Sequence, residues 1–280
     1  MDENIFKNID FENLSQEEID KLNDYIEGCT GNCASCGSDC HQVTPKISKY
    51  SAALVSGKGG TGRSTITALL ACALSRRGLR TGIIDADITG PTIPALFGAK
   101  GIMPNDGQFI TPLELSCGVH VASMGLVAEE SDEPCLLGGK ELGNIAAYFW
   151  TGAHWKDMDC VLIDMPAGIG DIPLNVYTVL PIDHTIVVTT PGALCARLVR
   201  KTIRLVKMLM LPVRGVVENM SMGEGDSVGL LGDERLSLLA KIAYDPEIAM
   251  AADEGRIADV ICEPIEKLAD SMAEEIRAMA

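Results

Sequence analysis

The sequence predicts an α/β fold, in which a mostly parallel β-sheet carries helices on both faces. Short apolar runs bounded by turn residues alternate along the chain with longer stretches that have the composition of helices. The runs are apolar throughout rather than at every second position, which is typical of strands buried on both faces. Regular alternation of strands and helices indicates a parallel sheet. The runs are residues 52–55, 81–84, 160–163, 184–188 and 213–217, and helices are predicted for 64–79 and 193–211.

Composition divides the chain into three segments. The first has a capping-box pattern followed by apolar residues at helical spacing, which predicts a helical arm. The second is rich in Cys, Gly and Ser and predicts a metal-binding loop followed by a linker. The third carries the strand and helix pattern, with a small inserted hairpin and an acidic helix at its end. The segments are residues 1–28, 29–49 and 50–280, with the hairpin within 101–123 and the closing helix at 264–280.

Composition and charge argue against several classes of function. The 280 residues carry a net charge of −16, and the pI is near 4.6. Nucleic acids and anionic membranes both attract Lys and Arg, so neither is an expected partner. The first residues lack the basic start of a signal peptide, and no apolar run reaches the roughly 18 residues of a membrane span. We expect a cytoplasmic protein that binds neither nucleic acid nor membrane.

A glycine-rich loop stands between the first strand and the first helix predicted for the third segment. Its sequence at 57–64, GKGGTGRS, matches the phosphate-loop pattern G-x-x-x-x-G-K-[ST] at every position but one. Glycines let backbone N–H groups turn towards phosphate oxygens, and the helix N-terminus favours an anion. We expect a nucleotide such as ATP here, with Mg²⁺ on the Ser64 hydroxyl. The predicted ATP-binding residues of the loop are Gly57, Lys58, Gly59, Gly60, Thr61, Gly62, Arg63, Ser64 and Thr65.

Arg63 stands where the pattern has lysine. Arginine keeps the positive charge, but its planar fork is bulkier and does not replace an ammonium in a tight site. Nucleotide binding tolerates such a change better than the geometry of γ-phosphate transfer does. The sequence therefore leaves open whether the protein hydrolyses ATP.

Three aspartates follow predicted strands: Asp85 and Asp87 end one strand, and Asp164 ends another. Parallel strands present their carboxyl ends at one edge of a sheet, so these carboxylates should gather beside the phosphate loop. We expect Asp164 to hold Mg²⁺ through water and Asp87 to orient the attacking water, with Asp85 as a further catalytic candidate. The alternative is that they are turn or capping residues, which are common at strand ends.

Four motifs, in order along the chain, resemble one family of P-loop proteins. Lys58-Gly59-Gly60 inside the loop resembles the deviant Walker A loop of the MinD/ParA/nitrogenase-iron-protein class. Residues 85–94, 163–171 and 217–221 are similar to the Mrp/ApbC branch of that class. The resemblance covers roughly residues 48–275 and implies the P-loop NTPase fold.

The resemblance implies an ATPase that binds and delivers iron–sulfur clusters, usually as a homodimer around its nucleotide. It implies that Lys58 acts catalytically on the partner's nucleotide and that Asn219 recognises adenine. Expected partners are a second copy of the chain, an iron–sulfur scaffold protein and apo-client proteins. Family members carry a Cys-x-x-Cys pair soon after Asn-Met-Ser, but residues 222–227 here contain no cysteine, and Gly192 replaces a frequent glutamine.

Four of the ten cysteines lie within twelve residues: Cys29, Cys33, Cys36 and Cys40. In a reducing compartment this spacing indicates a tetrathiolate metal site rather than disulfides. Structural zinc usually uses two Cys-x-x-Cys pairs with a longer spacer, whereas a compact glycine-containing run is closer to a [4Fe–4S] site. We expect the [4Fe–4S] cluster, with zinc as the alternative. The other six cysteines are isolated and are interpreted as small apolar core residues.

Three hypotheses for function follow. The leading one is an iron–sulfur cluster carrier or assembly ATPase, coupled to nucleotide through residues 87–95 as a candidate switch. The second is a non-hydrolysing nucleotide sensor or redox module, which Arg63 and the missing cysteine pair both favour. The third, a MinD/ParA-like positioning ATPase, would need a basic surface or an amphipathic membrane helix, and the C-terminal segment is amphipathic but acidic.

Overall fold

The computed structural model describes residues 46–106, 109–127, 139–155, 157–223 and 236–279. The predicted helical arm, the four clustered cysteines and most of the predicted linker lie outside the described residues. The first strand, β1 (Ser48–Val55), begins two residues before the predicted start of the α/β domain.

A single sheet of eight strands forms the centre of the described part of the chain. After β1 come β2 (Thr81–Asp85), β3 (Leu113–Glu114), β4 (Val119–Ala122), β5 (Met158–Asp164), β6 (His184–Thr189), β7 (Val213–Ser221) and β8 (Leu238–Ala243). Their order across the sheet is β3-β4-β2-β5-β1-β6-β7-β8. All neighbours are parallel except β3 and β4.

This topology confirms the predicted parallel sheet. Each of the five apolar runs lies within a strand, and the predicted hairpin is the antiparallel pair β3–β4. Strand β8 was not predicted, because it lies at the edge of the sheet and its inner residues alternate between buried and exposed. An alternating strand lacks the continuous apolar run by which the central strands were recognised.

Helices connect the strands on both faces of the sheet. The step from β1 to β2 and the step from β5 to β6 run in opposite directions across the sheet. Right-handed crossovers therefore place the two connecting helices, α1 and α4, on opposite faces. The helices are α1 (Arg63–Arg76), α2 (Ile93–Leu96), α3 (Gly139–Thr151), α4 (Asp171–Val179), α5 (Ala193–Met208), α6 (Pro246–Asp253) and α7 (Glu263–Ala278).

Helix α1, which follows the phosphate loop, is buried over most of its length. Its residues from Ile66 to Leu74 are all buried, so it lies between the sheet and another layer rather than at the surface. That layer includes α7, which packs against α1. Ion pairs from Arg77 to Glu266 and Asp270 join the two helices. The position of the phosphate loop is therefore fixed by the core.

The predicted closing helix is confirmed as α7. Its apolar stripe, which includes Ile265, Leu268, Met272 and Ile276, is buried against the rest of the domain. The acidic face lies outward, which accounts for the amphipathic pattern in the sequence. In the described part of the chain, no helix combines the length and the apolar character needed to cross a membrane.

Candidate nucleotide site

The phosphate loop joins β1 to α1 at the carboxyl edge of the sheet. Gly60 and Gly62 have φ values of 75° and 77°, which glycine adopts readily and other residues rarely do. A Cβ atom added at Gly59 or Gly60 would find no heavy atom within 4 Å, so this side of the loop is open. Gly57 instead packs on α5, where an added Cβ would lie 2.8 Å from Leu198 Cβ. The loop is thus anchored on one side and open on the other, as a phosphate cradle requires.

Hydroxyl groups line the base of the loop. The Thr61 side chain is 3% exposed, and its Oγ1 has no hydrogen-bond partner among the described residues. Buried polar atoms are normally paired, so an orphaned hydroxyl beside an open cradle fits an anionic ligand. Ser64 and Thr65 lie half-buried in the first turn of α1.

The structure brings the three predicted carboxylates together. Strands β2 and β5 are adjacent, and Asp85 is the register partner of Asp164. Asp87 follows β2 and reaches the same place through Arg63, whose Nη2 donates to Asp87 Oδ2 at 2.9 Å. The expected gathering at one edge of the sheet is therefore observed, although Arg63 takes a position that the sequence did not predict.

Arg63 binds carboxylates with its guanidinium. Its Nε donates to Asp164 Oδ1 at 2.8 Å and its Nη2 to Asp164 Oδ2 at 3.2 Å, a bidentate pair. The side chain is 7% exposed. Burial lowers the pKa of Arg63, but the charges and hydrogen bonds of Asp164 and Asp87 raise it more, so the net pKa is above its ordinary value. The Arg63 guanidinium therefore neutralises the negative charges of Asp164 and Asp87 inside the protein.

Asp164 is saturated by hydrogen bonds. Besides Arg63, Ser64 Oγ donates to its Oδ2 at 2.6 Å and Thr67 Oγ1 to its Oδ1 at 3.0 Å. The carboxylate is fully buried, and each of its oxygens accepts two bonds. Hydroxyl and carboxylate oxygens are ligands that Mg²⁺ prefers, but here they are bonded to each other and already neutralised by Arg63. As arranged, Ser64 and Asp164 do not fit the ion.

Asp85 is fully buried and faces the start of α2. Its Oδ2 accepts hydrogen bonds from Ser123 Oγ at 2.9 Å and from the Ile93 backbone N–H at 3.3 Å. Burial, followed by the charge of neighbouring Asp164, raises the pKa of Asp85 well above its ordinary value. Since Ile93 belongs to the candidate switch at 87–95, Asp85 holds that segment against the sheet.

Replacing Asp85 with asparagine should flatten the dependence of stability on pH. The raised pKa means that the folded chain keeps a proton which the unfolded chain loses above its ordinary pKa of 3.8. The wild-type free energy of unfolding therefore falls as pH rises from that value towards the raised pKa, and Asp85→Asn removes this contribution. Urea titrations at about pH 5 and pH 8 check the difference, since the variant should lose less stability over the interval. Equal losses would contradict a buried, protonated Asp85.

Asn219, near the end of β7, contacts the phosphate loop. Its Nδ2 donates to the Thr61 carbonyl oxygen at 2.9 Å, and the side chain is buried. A Cβ added at Gly62 would lie 2.3 Å from that nitrogen, so the amide packs directly on the loop. The structure thus places Asn219 beside the loop and ties β7 to it. Its role in recognising adenine remains a prediction.

Lys58 is exposed on the outer side of the loop. Ser56 Oγ donates to the Lys58 carbonyl oxygen at 3.0 Å, which holds the backbone at this position. Within the described ranges, the Lys58 ammonium forms no ion pair. Its side chain is therefore exposed to solvent, whereas the Arg63 side chain is buried and paired.

Two residues of the site, Thr67 and Ser123, were not predicted from the sequence. Thr67 lies one helical turn after Arg63, and its Oγ1 is 3.0 Å from both the Arg63 carbonyl oxygen and Asp164 Oδ1, so the two acceptors share one hydroxyl proton. The i, i+4 spacing along α1 was the signal that could have revealed it. Ser123 follows β4, the neighbour of β2, and carried no local signal beyond its position at a strand end.

Comparison with known proteins settles the family. Residues 48–278 match a ParA model described as the NUBPL iron-transfer P-loop NTPase. The chain belongs to this family. An iron–sulfur cluster carrier protein of Methanococcus maripaludis is 32% identical over 259 residues, covering 82% of this chain and 90% of that protein. The iron–sulfur cluster carrier protein of Pseudomonas fragi is 35% identical over 243 residues, covering 80% of this chain and 84% of that protein. The resemblance inferred from the four motifs is confirmed.

Solved structures confirm the fold class. A nucleotide-binding protein of Archaeoglobus fulgidus in complex with ADP has a TM-score of 0.64 and 30% identity, covering 76% of this NUBPL-family chain and 89% of its own. The septum site-determining protein MinD of Pyrococcus horikoshii, in complex with Mg-ADP, has a TM-score of 0.63 and 22% identity, covering 82% and 98%. At that identity the MinD likeness supports the P-loop NTPase fold alone.

Proposed function

We propose that this protein is an ATP-dependent carrier or assembly protein for iron–sulfur clusters. Cys29, Cys33, Cys36 and Cys40 bind a [4Fe–4S] cluster, and delivery is coupled to ATP binding or hydrolysis at the phosphate loop. The observation that carries the proposal is an open phosphate loop in a chain of the iron-transfer family, preceded by four closely spaced cysteines. The protein acts in the cytoplasm between scaffold and apo-client proteins.

Strand β1 separates the phosphate loop from the point where the described chain begins. The cysteines precede the first residue of β1, and the phosphate loop follows its last. This strand has 8 residues, which corresponds to about 26 Å. An ion pair from Lys46 to Asp183 at 3.2 Å anchors the chain at the far end. The described chain therefore enters the sheet at the edge opposite the phosphate loop.

The candidate switch at 87–95 is held at both ends by site residues. Arg63 binds Asp87 at its start, and Asp85 accepts the backbone N–H of Ile93 near its end. A γ-phosphate that draws Arg63 away from Asp87 would release the first of these contacts. This exchange is the proposed link between nucleotide and cluster delivery.

The second candidate function is a nucleotide-dependent sensor or redox module that does not hydrolyse ATP. One observation favours it: Arg63 is paired with Asp164 and Asp87, the two carboxylates proposed for hydrolysis. In that case ATP binding alone sets the state of the protein. Phosphate release from ATP by the wild-type protein separates the two candidates.

Arg63→Lys should increase ATP turnover. A lysine ammonium lacks the planar fork that holds Asp164 and Asp87 together, so both carboxylates become available for the reaction. If release of one such contact lowers the activation free energy by about 1.4 kcal/mol, the rate of ATP turnover rises about tenfold. Phosphate release at saturating ATP measures it, with wild-type protein as reference. An unchanged rate would show that Arg63 does not restrain hydrolysis.

Two proposed nucleotide contacts require side chains to change partners. Ser64, and Asp164 through water, would hold Mg²⁺ only if Arg63 released Asp164. Asn219 likewise recognises adenine with amide atoms other than the Nδ2–H that is bonded to Thr61. The Mg²⁺ assignment rests on the phosphate-loop pattern and on the strand-end position of Asp164, and the adenine assignment rests on the family resemblance.

We propose that the protein acts as a homodimer in which Lys58 contacts the partner's nucleotide. The ammonium is exposed and unpaired within the described ranges. Exposed apolar side chains follow the carboxyl ends of β5, β6 and β7, the same edge that carries the loop. They are Ile169, Leu194 and Met222.

Lys58→Ala should abolish ATP turnover and ATP-dependent dimerisation while leaving the fold intact. The side chain is exposed in the monomer, so its loss should change the free energy of unfolding by less than about 0.5 kcal/mol. Sedimentation with and without ATP, together with phosphate release, measures the effect. Lys100→Ala, at another exposed lysine, is the matched control and should behave as wild type. A Lys58 variant that still dimerises and turns over ATP would refute the contact across the dimer.

A positioning ATPase of the MinD/ParA kind is the weakest alternative. It would need an apolar helix face free to bind a membrane. The candidate helix is α7, and its apolar face is buried in the core. Pelleting with anionic vesicles would restore this alternative only if the full chain bound them.

Metal analysis tests the cluster itself. The full chain should be purified without oxygen, and its iron, acid-labile sulfide and zinc should be measured, alongside a Cys33→Ser/Cys36→Ser variant. Iron with matching sulfide in the parent and neither in the variant is the expected result. Zinc without sulfide would make the four cysteines a structural zinc site and would refute the proposed cluster.

A further inference from the structure

Two cysteines that are far apart in sequence lie side by side. Cys72 is buried in α1, and Cys117 is half-buried in the turn between β3 and β4. Their sulfur atoms are 4.0 Å apart, although 45 positions separate them in sequence. Cys160, also free, instead donates to Thr81 Oγ1 at 3.5 Å within the core. The Cys72–Cys117 pair takes no part in the nucleotide site.

The hairpin turn is fixed against α1 where the two thiols meet. Ser75 Oγ donates to the Cys117 carbonyl oxygen at 2.8 Å. Gly118 has φ of 78°, and a Cβ there would lie 3.0 Å from Ser75 Oγ, so the turn lies close against the helix. The Gly118 N–H closes the turn on the Leu115 carbonyl oxygen at 2.8 Å. The short distance between the sulfur atoms is thus set by backbone structure on both sides.

The two thiols differ in reactivity. The Cys72 thiol donates to Cys117 Sγ, and this contact lowers the pKa of Cys117 below its ordinary value against the opposing effect of burial. The Val119 backbone N–H and the Arg76 charge lower it further. Cys117 is therefore the more readily ionised thiol, and it is also the more exposed of the pair. Cys72 is the protonated, buried partner.

We propose that Cys72 and Cys117 form a redox-active pair that hydroperoxides oxidise to a disulfide. The Cys117 thiolate attacks one peroxide oxygen, the O–O bond breaks, and Cys117 becomes a sulfenic acid while hydroxide or alkoxide leaves and takes up a proton. Cys72 sulfur then attacks the Cys117 sulfur, the S–O bond breaks, and the hydroxyl leaves as water with the Cys72 proton. Two thiols lose two electrons, and the peroxide is reduced to water and, for an organic hydroperoxide, an alcohol.

The disulfide joins the helix of the phosphate loop to the hairpin. The sulfur atoms must approach from 4.0 Å to about 2.05 Å, which needs side-chain rotation and a small shift of the turn. The bond closes a long loop, so oxidation should raise the Tm by up to roughly 10 °C. Because α1 carries Arg63, Ser64 and Thr67, the hairpin becomes covalently attached to the element that bears the site.

Peptide mapping tests the pair directly. The full chain, reduced and then freed of reductant, is treated with one equivalent of hydrogen peroxide beside a metal chelator, and remaining thiols are alkylated. Trypsin together with a glutamate-specific protease separates Cys117 from Cys135, because Glu129 lies between them. The expected product is a linked peptide pair containing Cys72 and Cys117, which dithiothreitol reverses.

Matched variants make the result decisive. Cys160→Ser, at a buried thiol whose pKa is raised to about 12 by burial, should still form the linked pair. Cys117→Ser should form none and should lose the rise in Tm on oxidation. The proposal is overturned if both thiols are alkylated after peroxide treatment. It is also overturned if Cys117 is oxidised to sulfinic acid without a bond to Cys72, or if the linked pair involves other cysteines.

Discussion

Arg63→Ala is expected to lower the free energy of unfolding by about 3–5 kcal/mol, the usual effect of removing one partner from a buried ion pair. In the variant, the buried Asp164 carboxylate has no neighbouring cation. The hydroxyl groups of Ser64 and Thr67 remain as its hydrogen-bond donors, but they carry no charge. Asp87 loses its partner too, but it is partly exposed and is expected to contribute less. Urea unfolding at neutral pH measures the difference.

Arg63→Lys provides the control for that experiment. It keeps a positive charge but only a single donor group in place of the bidentate fork, so a loss of about 1–2 kcal/mol is expected. Asp164→Asn in the Arg63→Ala background removes the uncompensated charge and should recover part of the stability. If the free energy of unfolding of Arg63→Ala were within about 1 kcal/mol of the wild-type value, the ion pair would not be a stabilising element of the site.

Gly62→Ala is expected to weaken ATP binding about a hundredfold and to destabilise the fold by about 2–4 kcal/mol. The residue has φ of 77°, where a side chain is strained, and its Cβ would lie 2.3 Å from Asn219 Nδ2. The amide must move, and the hydrogen bond to the Thr61 carbonyl oxygen is lost. The loop then loses both its backbone conformation and its tie to β7.

Gly78→Ala is the matched control for this prediction. Gly78 follows α1 with φ of 78°, and an added Cβ there finds no heavy atom within 4 Å. It therefore carries the same backbone strain without the clash and without contact to the site. Calorimetric titration with ATP and urea unfolding should show a loss of about 1 kcal/mol in stability and unchanged affinity. If the two glycine variants bound ATP equally well, the proposed role of the loop conformation would be wrong.

The sequence predicted the sheet and the loop between β1 and α1 well, because both depend on local patterns. Continuous apolar runs identified the central strands, and the glycine spacing identified the loop. What it missed depends on contacts across the fold. Arg63 was assigned to phosphate, whereas the register of β2 and β5 brings Asp164 within its reach. No local sequence pattern shows whether a long cationic side chain in the loop binds phosphate or a carboxylate on a neighbouring strand.

The cysteines show the same limit. Cys72 and Cys117 were each interpreted as isolated apolar residues, which fits their burial but not their pairing. Their contact exists because the hairpin β3–β4 pairs with β2 and brings its turn onto α1. Asp85 was likewise a catalytic candidate at a strand end, but it is fully buried and accepts a hydrogen bond from Ser123, which follows the neighbouring strand β4. Such contacts become predictable only when strand order is known.

Cluster transfer measured with and without ATP tests the central claim most directly. The full chain, reconstituted with iron and sulfide, is mixed with an apo-ferredoxin, and transfer is followed by the absorbance of the acceptor. At an ATP concentration that fills only the wild-type site, ATP should change the transfer rate several-fold in the wild type and leave the Gly62→Ala variant unaffected, because that loop binds ATP about a hundredfold more weakly. A wild-type chain that binds ATP yet transfers its cluster at the same rate with and without it would contradict the coupling proposed here.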